Sequence, residues 1–218
     1  MQIRSWESTM KKRVLMSCVG LVFGSCSFAQ EGSPFTFDIG GGFTQPVGHT
    51  GRELDEGWNV AAGVGFNFSQ YVGAKIDVGY NSFGINSTTL SNLGFPGGGL
   101  HVFSATLDPI VHLNPHGHFD VYLIGGGGIY HEYWDLTQPS VATISGFNPF
   151  FGFYTAAVPT TQVLASYSVN KPGVDVGAGI AFGTKWHGKF FAESRWDHIF
   201  LSGNRHVDYV PVTFGFRW

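Results

Sequence analysis

Hydrophobic and polar residues alternate with a period of two in eight separate stretches of this chain. For example, Val174, Val176 and Ala178 alternate with Asp175 and Gly177. Because successive side chains of a β-strand point to opposite faces, each stretch predicts a strand with one apolar face and one small or polar face. The predicted strands cover residues 34–44, 58–68, 71–81, 101–113, 119–132, 172–183, 189–200 and 209–218.

The connections between these predicted strands are alternately short and long. The short ones are residues 69–70, 114–118 and 184–188, and the long ones are 45–57, 82–100, 133–171 and 201–208. Transmembrane β-barrels have short periplasmic turns and longer outer loops. The chain is therefore predicted to be all-β, an eight-stranded antiparallel up-and-down transmembrane β-barrel. Pro109 cannot donate a hydrogen bond to a neighbouring strand, so a bulge or a strand end is expected there.

The composition favours strands that face lipid. Glycine accounts for 32 of the 218 residues, and aromatic residues for 16 %; such a composition suits strands and tight bends. The apolar faces contain almost no charge, as expected where a lipid-facing Arg or Lys costs roughly 2–4 kcal/mol at mid-bilayer. A soluble β-sandwich is the alternative, but its outer face would carry charges, whereas the polar faces here are mostly Gly, Ser, Thr and Asn.

The first 29 residues are typical of a secretory signal peptide. The basic residues Lys11, Lys12 and Arg13 precede an apolar run at 14–23, and the small residues Ser27 and Ala29 occupy the −3 and −1 positions of a cleavage site after Ala29. We therefore predict a signal peptide at 1–29 and an outer-membrane barrel at 30–218, with export to the outer membrane of a Gram-negative type of cell. Met10, directly before the basic residues, is a second candidate for the start of translation.

Both cysteines, Cys18 and Cys26, lie within this predicted leader, so no disulfide or thiol chemistry is expected in the exported part. A lipoprotein that is acylated at Cys26 is the alternative, although Phe23 fits that motif poorly. Without the leader, 8 basic residues remain against 14 acidic ones, a formal charge of −6. This balance excludes the basic footprint of a protein that binds nucleic acid.

Charged residues occupy the polar faces of several predicted strands, which would point into the barrel. An eight-stranded barrel has an interior only wide enough for side chains to fill, and an unpaired buried charge is costly. We therefore expect paired charges to plug the lumen, with Glu193 and Arg195 as the central pair, and a selective ion path as the alternative. The predicted lumen network consists of Asp38, Lys75, Asp77, Asp108, Asp120, Asp175, Glu193, Arg195 and Arg217.

Two long connections contain apolar residues without any charge. Residues 136–170 lack Asp, Glu, Lys, Arg and His, and residues 82–100 lack them too. Exposed apolar patches usually mark a contact site, so the loops are predicted to contact a partner, a surface or membrane lipid. The alternative is that the loops extend the sheet and pack on one another. The predicted contact residues are Phe147, Phe150, Phe151, Phe153 and Tyr154; the second connection contains Phe83, Ile85, Leu90, Leu93 and Phe95.

Three segments, residues 174–180, 191–196 and 210–218, resemble the small outer-membrane β-barrel proteins of the OmpA transmembrane-domain and OmpX-like group. The resemblance covers roughly residues 34–218. It implies a barrel in contact with membrane lipid and lipopolysaccharide, inserted by the outer-membrane assembly machinery with the last strand as recognition signal. Phe214, Phe216 and Trp218 would form that signal, although members of the family usually end on Phe.

Members of this group serve in adhesion, envelope integrity, small-molecule passage and lipid modification, so the architecture does not fix the function. The leading hypothesis is a structural or surface-interaction barrel. The alternative is a channel for small hydrophobic molecules, in which the glycine-rich inner faces and Pro109 would supply space.

An enzyme is not expected. Lipid A deacylases also use eight-stranded barrels, and Asp197, His198 and Ser202 superficially resemble a catalytic triad. Those enzymes, however, resemble one another in a His-x-Ser-Asn motif that the spacing from His198 to Ser202 does not match. No cofactor is expected either. His112, His116 and His118 lie close enough in sequence to share a metal ion, but turns at such positions are commonly polar for solubility alone, so no metal site is predicted.

Overall fold

The computed structural model describes residues 34–115, 119–183, 188–203 and 205–218. Within these ranges, eight antiparallel strands close into one barrel, in which β8 pairs with β1. This confirms the predicted eight-stranded up-and-down transmembrane barrel; the predicted leader lies outside the described residues. The strands are β1 Phe35–Pro46, β2 Leu54–Asn67, β3 Val72–Ile85, β4 Gly97–His112, β5 Phe119–Asn148, β6 Gly152–Gly183, β7 Lys189–Phe200 and β8 His206–Arg217.

Two short helical segments lie between strands at the end of the barrel with the longer connections, which we call the loop end. One is a 3₁₀ turn, Thr50–Arg52, and the other is a helix, α1, Ser87–Leu93. The Asn86 side chain caps α1 by accepting a hydrogen bond from the Thr88 N–H at 2.9 Å. It also donates to Asp55 Oδ1 at 3.0 Å, which ties α1 to the start of β2.

No helix among the described residues is both long enough and apolar enough to cross a bilayer.

The strands match the prediction well at the end with short connections, which we call the turn end, and exceed it at the loop end. β7 has the predicted bounds, but β5 and β6 continue far beyond theirs. The predicted long loop at 133–171 is therefore wrong, because the two strands pair throughout it up to Asn148 and Gly152. Hydrogen bonding between the two strands sustains the hairpin where the apolar alternation that revealed the other strands is absent.

Pro109 lies inside β4 without forming a bulge or ending the strand. It pairs with Ala74 on β3, whereas the ladder to β5 omits it. The register to β5 is the same on both sides of the gap, so the expected bulge or strand end is wrong. The missing N–H removes bonds to one neighbour only, because the pairing with β3 fixes the strand in place.

The outer surface of the barrel is an apolar band. Large hydrophobic side chains at outward positions on every strand are exposed, among them Ile39, Ile76, Leu107, Ile129 and Val176. Charged side chains are buried in the lumen, and apolar side chains are exposed on the outside. The distribution of polar and apolar side chains is therefore the reverse of that in a soluble protein. This distribution is expected for a barrel that is surrounded by the acyl chains of a membrane.

The apolar band ends at a level of hydrogen-bonded polar side chains near the loop end. On the outside of β3 and β4, the Tyr80 hydroxyl lies 2.9 Å from His101 Nδ1. Across the barrel, His198 Nδ1 on β7 lies 2.6 Å from Asp208 Oδ1 on β8. Tyrosine at such a level is typical of the membrane–water interface.

Candidate functional site

Arg195 on β7 is the centre of the charged layer in the lumen. Its guanidinium lies 2.6 Å from Glu193 Oε1 and 2.8 Å from Asp108 Oδ2, and it also pairs with Asp77. Asp175 Oδ1 lies 3.6 Å away. All four carboxylates are buried, so the one guanidinium compensates charges from four different strands.

Lys75 and Arg217 extend this layer across the barrel. Lys75 Nζ lies 2.9 Å from both Asp38 Oδ1 and Asp77 Oδ1. Arg217 lies 3.4 Å from Asp38 Oδ2 and 3.9 Å from Glu193 Oε2. The structure thus joins all but one of the residues predicted for the lumen network into a single set of ion pairs.

Asp120, the remaining residue of that prediction, lies apart at the turn end. Its Oδ2 atom is 2.8 Å from His112 Nδ1 and 3.5 Å from Lys189 Nζ. Asp120 is buried, whereas Lys189 is partly exposed at the barrel mouth. The ion pairs of Asp120 are therefore separate from the charged layer around Arg195 and lie closer to the turn end.

Two tyrosine rings cross the lumen over inward-facing glycines. A Cβ at Gly179 would lie 2.3 Å from the Tyr122 ring, and one at Gly173 would lie 2.6 Å from the Tyr130 ring. Tyr122 donates to Glu193 Oε2 at 2.8 Å, and Tyr130 donates to Asp197 Oδ1 at 2.8 Å. These tyrosine rings fill the space beside the glycines. The alternative hypothesis of a channel for small hydrophobic molecules needed that space to be open.

Uncharged polar side chains form the next layer toward the loop end. The Asn59 amide donates to Thr44 Oγ1 at 3.1 Å, and Thr44 donates to Asn81 Oδ1 at 2.8 Å. Thr213 donates to Asn59 Oδ1 at 2.9 Å. These bonds join β1, β2, β3 and β8 and satisfy buried amide and hydroxyl groups within the barrel.

An apolar layer, which we call the cap, closes the loop end of the barrel. Leu90 of α1 and Trp134 pack against it. Phe83 and Ile85 are 3 % and 6 % exposed, so the prediction of an exposed apolar loop at 82–100 is wrong for these two residues. The buried members of the cap are Leu54, Phe83, Ile85, Leu100, Val102, Tyr130, Ile199, Val207 and Tyr209.

The cap was missed because the predicted strands ended too early. Phe83 and Ile85 continue the inward set of β3 that runs through Lys75, Asp77 and Asn81 at every second position. Extending that parity beyond residue 81 would have placed both side chains in the lumen. The sequence pattern therefore contained the cap, but only for a strand that continues above the lipid-facing band.

The lumen holds small cavities between these layers. The one beside the charged layer has a volume of about 50 Å³ and is lined by Asp38, Lys75, Asp77 and Arg195, among others. A second, of about 130 Å³, lies at the turn end beside His112 and Asp120. A cavity needs only about 10–15 Å³ of such space to hold a water molecule, so both can be hydrated.

Residues 138–162 form a two-stranded projection at the loop end, which we call the arm. The last pair between β4 and β5 is Gly97 with Thr137, and β6 pairs with β7 only from Gly173 onward. The arm strands therefore pair with each other alone. At about 3.3 Å per residue, the arm is about 35 Å long.

Four phenylalanines and a tyrosine surround the end of the arm, residues 147–154, which we call the tip. Phe150, Phe151 and Phe153 are 89 %, 86 % and 88 % exposed, and Phe147 packs edge-on against Phe153 with ring centroids 5.1 Å apart. Tyr154 pairs with Gly146 one step below. The structure thus brings all five predicted contact residues together.

Comparison with known proteins gives matches of structure only. No protein-family model matches the sequence, and no curated protein matches it. Neisserial surface protein A matches with a TM-score of 0.54 and 12 % identity, over 85 % of this chain and 96 % of that one. A major outer membrane protein of Thermus thermophilus matches with the same TM-score and identity, over 84 % and 97 %. This chain has the fold of an outer-membrane barrel.

The residues considered for a catalytic triad do not come together in this barrel. Asp197 points inward to Tyr130, whereas His198 points outward to Asp208. Ser202 accepts a hydrogen bond from Lys171 Nζ at 2.7 Å. Ser202, His198 and Asp197 therefore do not form the hydrogen-bonded series of nucleophile, base and acid that a catalytic triad needs.

The histidines considered for a metal are only partly described. His112 pairs with Asp120, while His116 and His118 lie outside the described residues. Within the part of the chain that the structure describes, no three His, Cys, Asp or Glu side chains are arranged to hold a metal ion.

Phe214 and Phe216 of the predicted insertion signal lie at outward positions of the last strand, and Trp218 follows directly after its end. Phe214 is exposed, and the Phe216 ring packs between Phe190, at 5.2 Å, and Trp218, at 6.1 Å. The backbone of Trp218 pairs with Phe37 through two hydrogen bonds of 2.9 Å. The role of these aromatics in assembly stays a prediction.

Proposed function

We propose that this protein is a non-enzymatic outer-membrane barrel of a Gram-negative type of cell, with a side-chain-plugged lumen, that contacts an external partner, surface or lipid through its arm. The observation that carries the proposal is the contrast between a filled lumen and an exposed, charge-free arm with an aromatic tip. Export by the predicted leader and insertion by the assembly machinery belong to the same proposal.

Three layers in series support a plugged lumen. An ion entering from the loop end would meet the apolar cap, then the Asn and Thr layer, then the ion pairs of Arg195. Transfer of an ion into apolar surroundings is very costly, and separation of a buried ion pair leaves uncompensated charges. Passage of hydrophobic molecules is disfavoured by the same charged layer and by the tyrosine rings over Gly173 and Gly179.

The outer band supports contact with membrane lipid. Exposed apolar side chains face outward on every strand, and polar side chains such as Tyr80 and His101 begin at one level above them. Above this level, the polar groups would meet lipid head groups, including those of lipopolysaccharide. The barrel would then hold the arm clear of its own membrane.

Planar-bilayer recordings test the plug. The wild-type protein is expected to stay silent, because the ion pairs and the cap are intact. Arg195→Ala is expected to conduct, with a preference for cations, only when the cap is opened as well by Phe83→Ser and Ile85→Ser, since Asp77, Asp108 and Asp175 would then remain without their guanidinium. Folding of the variant is checked by heat-modifiable migration on gels. Steady wild-type conductance would refute the plug.

An arm variant tests the contact function. Replacing residues 138–162 by Asn-Gly keeps the pair between Gly97 and Thr137 and closes the hairpin with a favoured two-residue turn. Bacteria displaying the wild-type chain are expected to adhere to a panel of lipid, polymer and cell surfaces, and those displaying the variant to lose that adhesion. Equal adhesion of both, at equal surface expression, would refute the role of the arm.

A further inference from the structure

We propose that the tip inserts into the hydrocarbon of a second membrane that faces the one the barrel spans. This inference rests on the proposed function and names the partner of the arm as a lipid bilayer. The tip residues concerned are Phe147, Phe150, Phe151 and Phe153, with Tyr154 at the level of the head groups.

The shape of the tip fits a fluid partner better than a rigid one. The tip is the narrow end of a two-stranded hairpin, and three of its phenylalanines are more than four-fifths exposed. A protein pocket would need to match these rings on all sides of the hairpin, whereas acyl chains adapt to them. Burial of such rings in hydrocarbon is favourable in proportion to the apolar area removed from water.

Several backbone N–H groups at the turn need no hydrogen bond with water. The Phe150 N–H donates to Asn148 Oδ1 at 2.8 Å, Pro149 has no N–H, and Asn148 pairs with Gly152. Gly152 adopts a φ of +80°, which closes the turn without a strained side chain. Unsatisfied backbone groups are the main cost of placing irregular structure in lipid, and these bonds reduce that cost.

The residues below the tip give the profile of a membrane interface. The Tyr154 ring lies across Gly146, where a Cβ would come within 2.7 Å of it. Tyrosine prefers the level where an apolar ring meets polar head groups. Below it the arm is rich in Thr, Ser and Gln and has no charge, so insertion would stop near Tyr154 and would not depend on lipid charge.

A second copy of the chain is a weaker candidate for the partner. Pairing along the free edges of the arm would need continuous rows of N–H and C=O groups. Pro139 on β5 and Pro159 on β6 interrupt the donors, and proline is a device that proteins use to blunt exposed edges. The edges are therefore less suited to contact than the tip.

Vesicle flotation tests the inference with the full-length barrel held in nanodiscs. Vesicles of phosphatidylcholine alone are expected to carry the wild-type protein upward in a density gradient, equally at 0.15 M and 1 M NaCl. The double variant Phe150→Ser, Phe151→Ser is expected to weaken binding by about a hundredfold, since one buried aromatic ring contributes about tenfold or more. Val141→Ser, an exposed apolar position on the shaft of the arm, is the matched control and should bind like wild type.

A fluorescent label shows which part inserts and into which membrane. Residues 30–218 lack cysteine, so Phe151→Cys and Val141→Cys each accept a single environment-sensitive dye. The dye at 151 is expected to shift to the blue on addition of vesicles, and the dye at 141 to remain unchanged. A blue shift at 151 in nanodiscs before vesicles are added would mean insertion into the barrel's own membrane and would overturn the inference.

Two further outcomes separate the lipid partner from the proposed function of the arm. Failure of the wild-type protein to float, or tip-dependent dimers in light scattering, would overturn the lipid partner. If adhesion of bacteria to another surface in the panel still required the arm, the proposed function would stand and only the nature of its partner would change.

Discussion

The lower part of β5 and the arm belong to one continuous strand and yet meet opposite demands. From Phe119 to Glu132, β5 has a strand on each side and places Asp120, Tyr122 and Tyr130 into a lumen of fixed partners. Within the arm, it has one neighbour, no charge and open exposure. Charge is placed where the lumen supplies a counter-charge or a hydrogen-bond donor, as Tyr130 does for Asp197, and it is omitted where the surface is free to contact something else.

The two regions should therefore contribute differently to the stability of the barrel. Lumen side chains link strands that are far apart in sequence, such as Arg195 with Asp77. Among the described residues, the strands of the arm form ladders only with each other. We therefore expect changes in the lumen to affect the stability of the barrel and changes in the arm to affect binding.

The largest effect is expected for Arg195→Ala. Removing the guanidinium leaves buried carboxylates on four strands without their main partner, and the loss of one partner of a buried pair costs about 3–5 kcal/mol. Urea titration in detergent micelles, followed by tryptophan fluorescence, measures the free energy of unfolding. Arg205→Ala, in the exposed connection between β7 and β8, is the control and should leave it unchanged. A loss of less than about 1 kcal/mol for Arg195→Ala would show that the ion pairs do not stabilise the barrel.

A smaller loss is expected for Tyr130→Phe. The variant keeps the ring over Gly173 but removes the hydroxyl that donates to the buried Asp197 carboxylate. A hydrogen bond to a charged group contributes about 1.5–3 kcal/mol. Tyr133→Phe, at an outward position on the same strand, should change the same unfolding measurement by a few tenths of a kcal/mol at most. Equal losses for the two variants would contradict the inward role of Tyr130.

Gly179→Ala tests whether glycine makes room for the lumen contents. The new methyl group would lie 2.3 Å from the Tyr122 ring, and such overpacking costs about 1–3 kcal/mol. Gly183→Ala lies on the same strand with open space around its Cβ, so its unfolding free energy should match that of wild type. Comparable behaviour of both variants would mean that the Tyr122 ring moves freely.

The smallest effect on stability is expected for the arm deletion with Asn-Gly in place of 138–162. Because the strands of the arm pair only with each other and are mostly exposed, the free energy of unfolding should change by less than about 0.5 kcal/mol. Adhesion, in contrast, should be lost. A large loss of stability would show that the arm supports the cap, and the contrast between the two regions would fail.

The barrel could be predicted from sequence because hydrocarbon imposes a strict alternation on each spanning segment. β7 shows this best, since Phe190, Ala192 and Trp196 face out while Glu193 and Arg195 face in. Which strand partners Arg195 would meet was not predictable, because register between distant strands depends on barrel closure. Asp120 illustrates the point, since it belongs to the expected set of charges but lies with His112 and Lys189 instead.

Above the lipid band the sequence pattern weakens and predictions failed in two ways. Phe83 and Ile85 looked like exposed loop residues, and they are buried in the cap. The segment around Thr143 and Thr155 looked like a loop, and it is a paired hairpin. In both places lipid no longer selects an apolar outer face, so the outward residues stop marking the strand, although in β3 the inward set continues through Phe83 and Ile85.

The reach of the arm sets a length scale for any cell that displays it. An extended hairpin of about 35 Å lifts its aromatic end only that far above the barrel rim. A capsule or a polysaccharide coat thicker than this would hide the rings from everything outside. If the arm docks as proposed, it would reach its partner only on cells, or at growth stages, whose coat is thinner than the length of the hairpin.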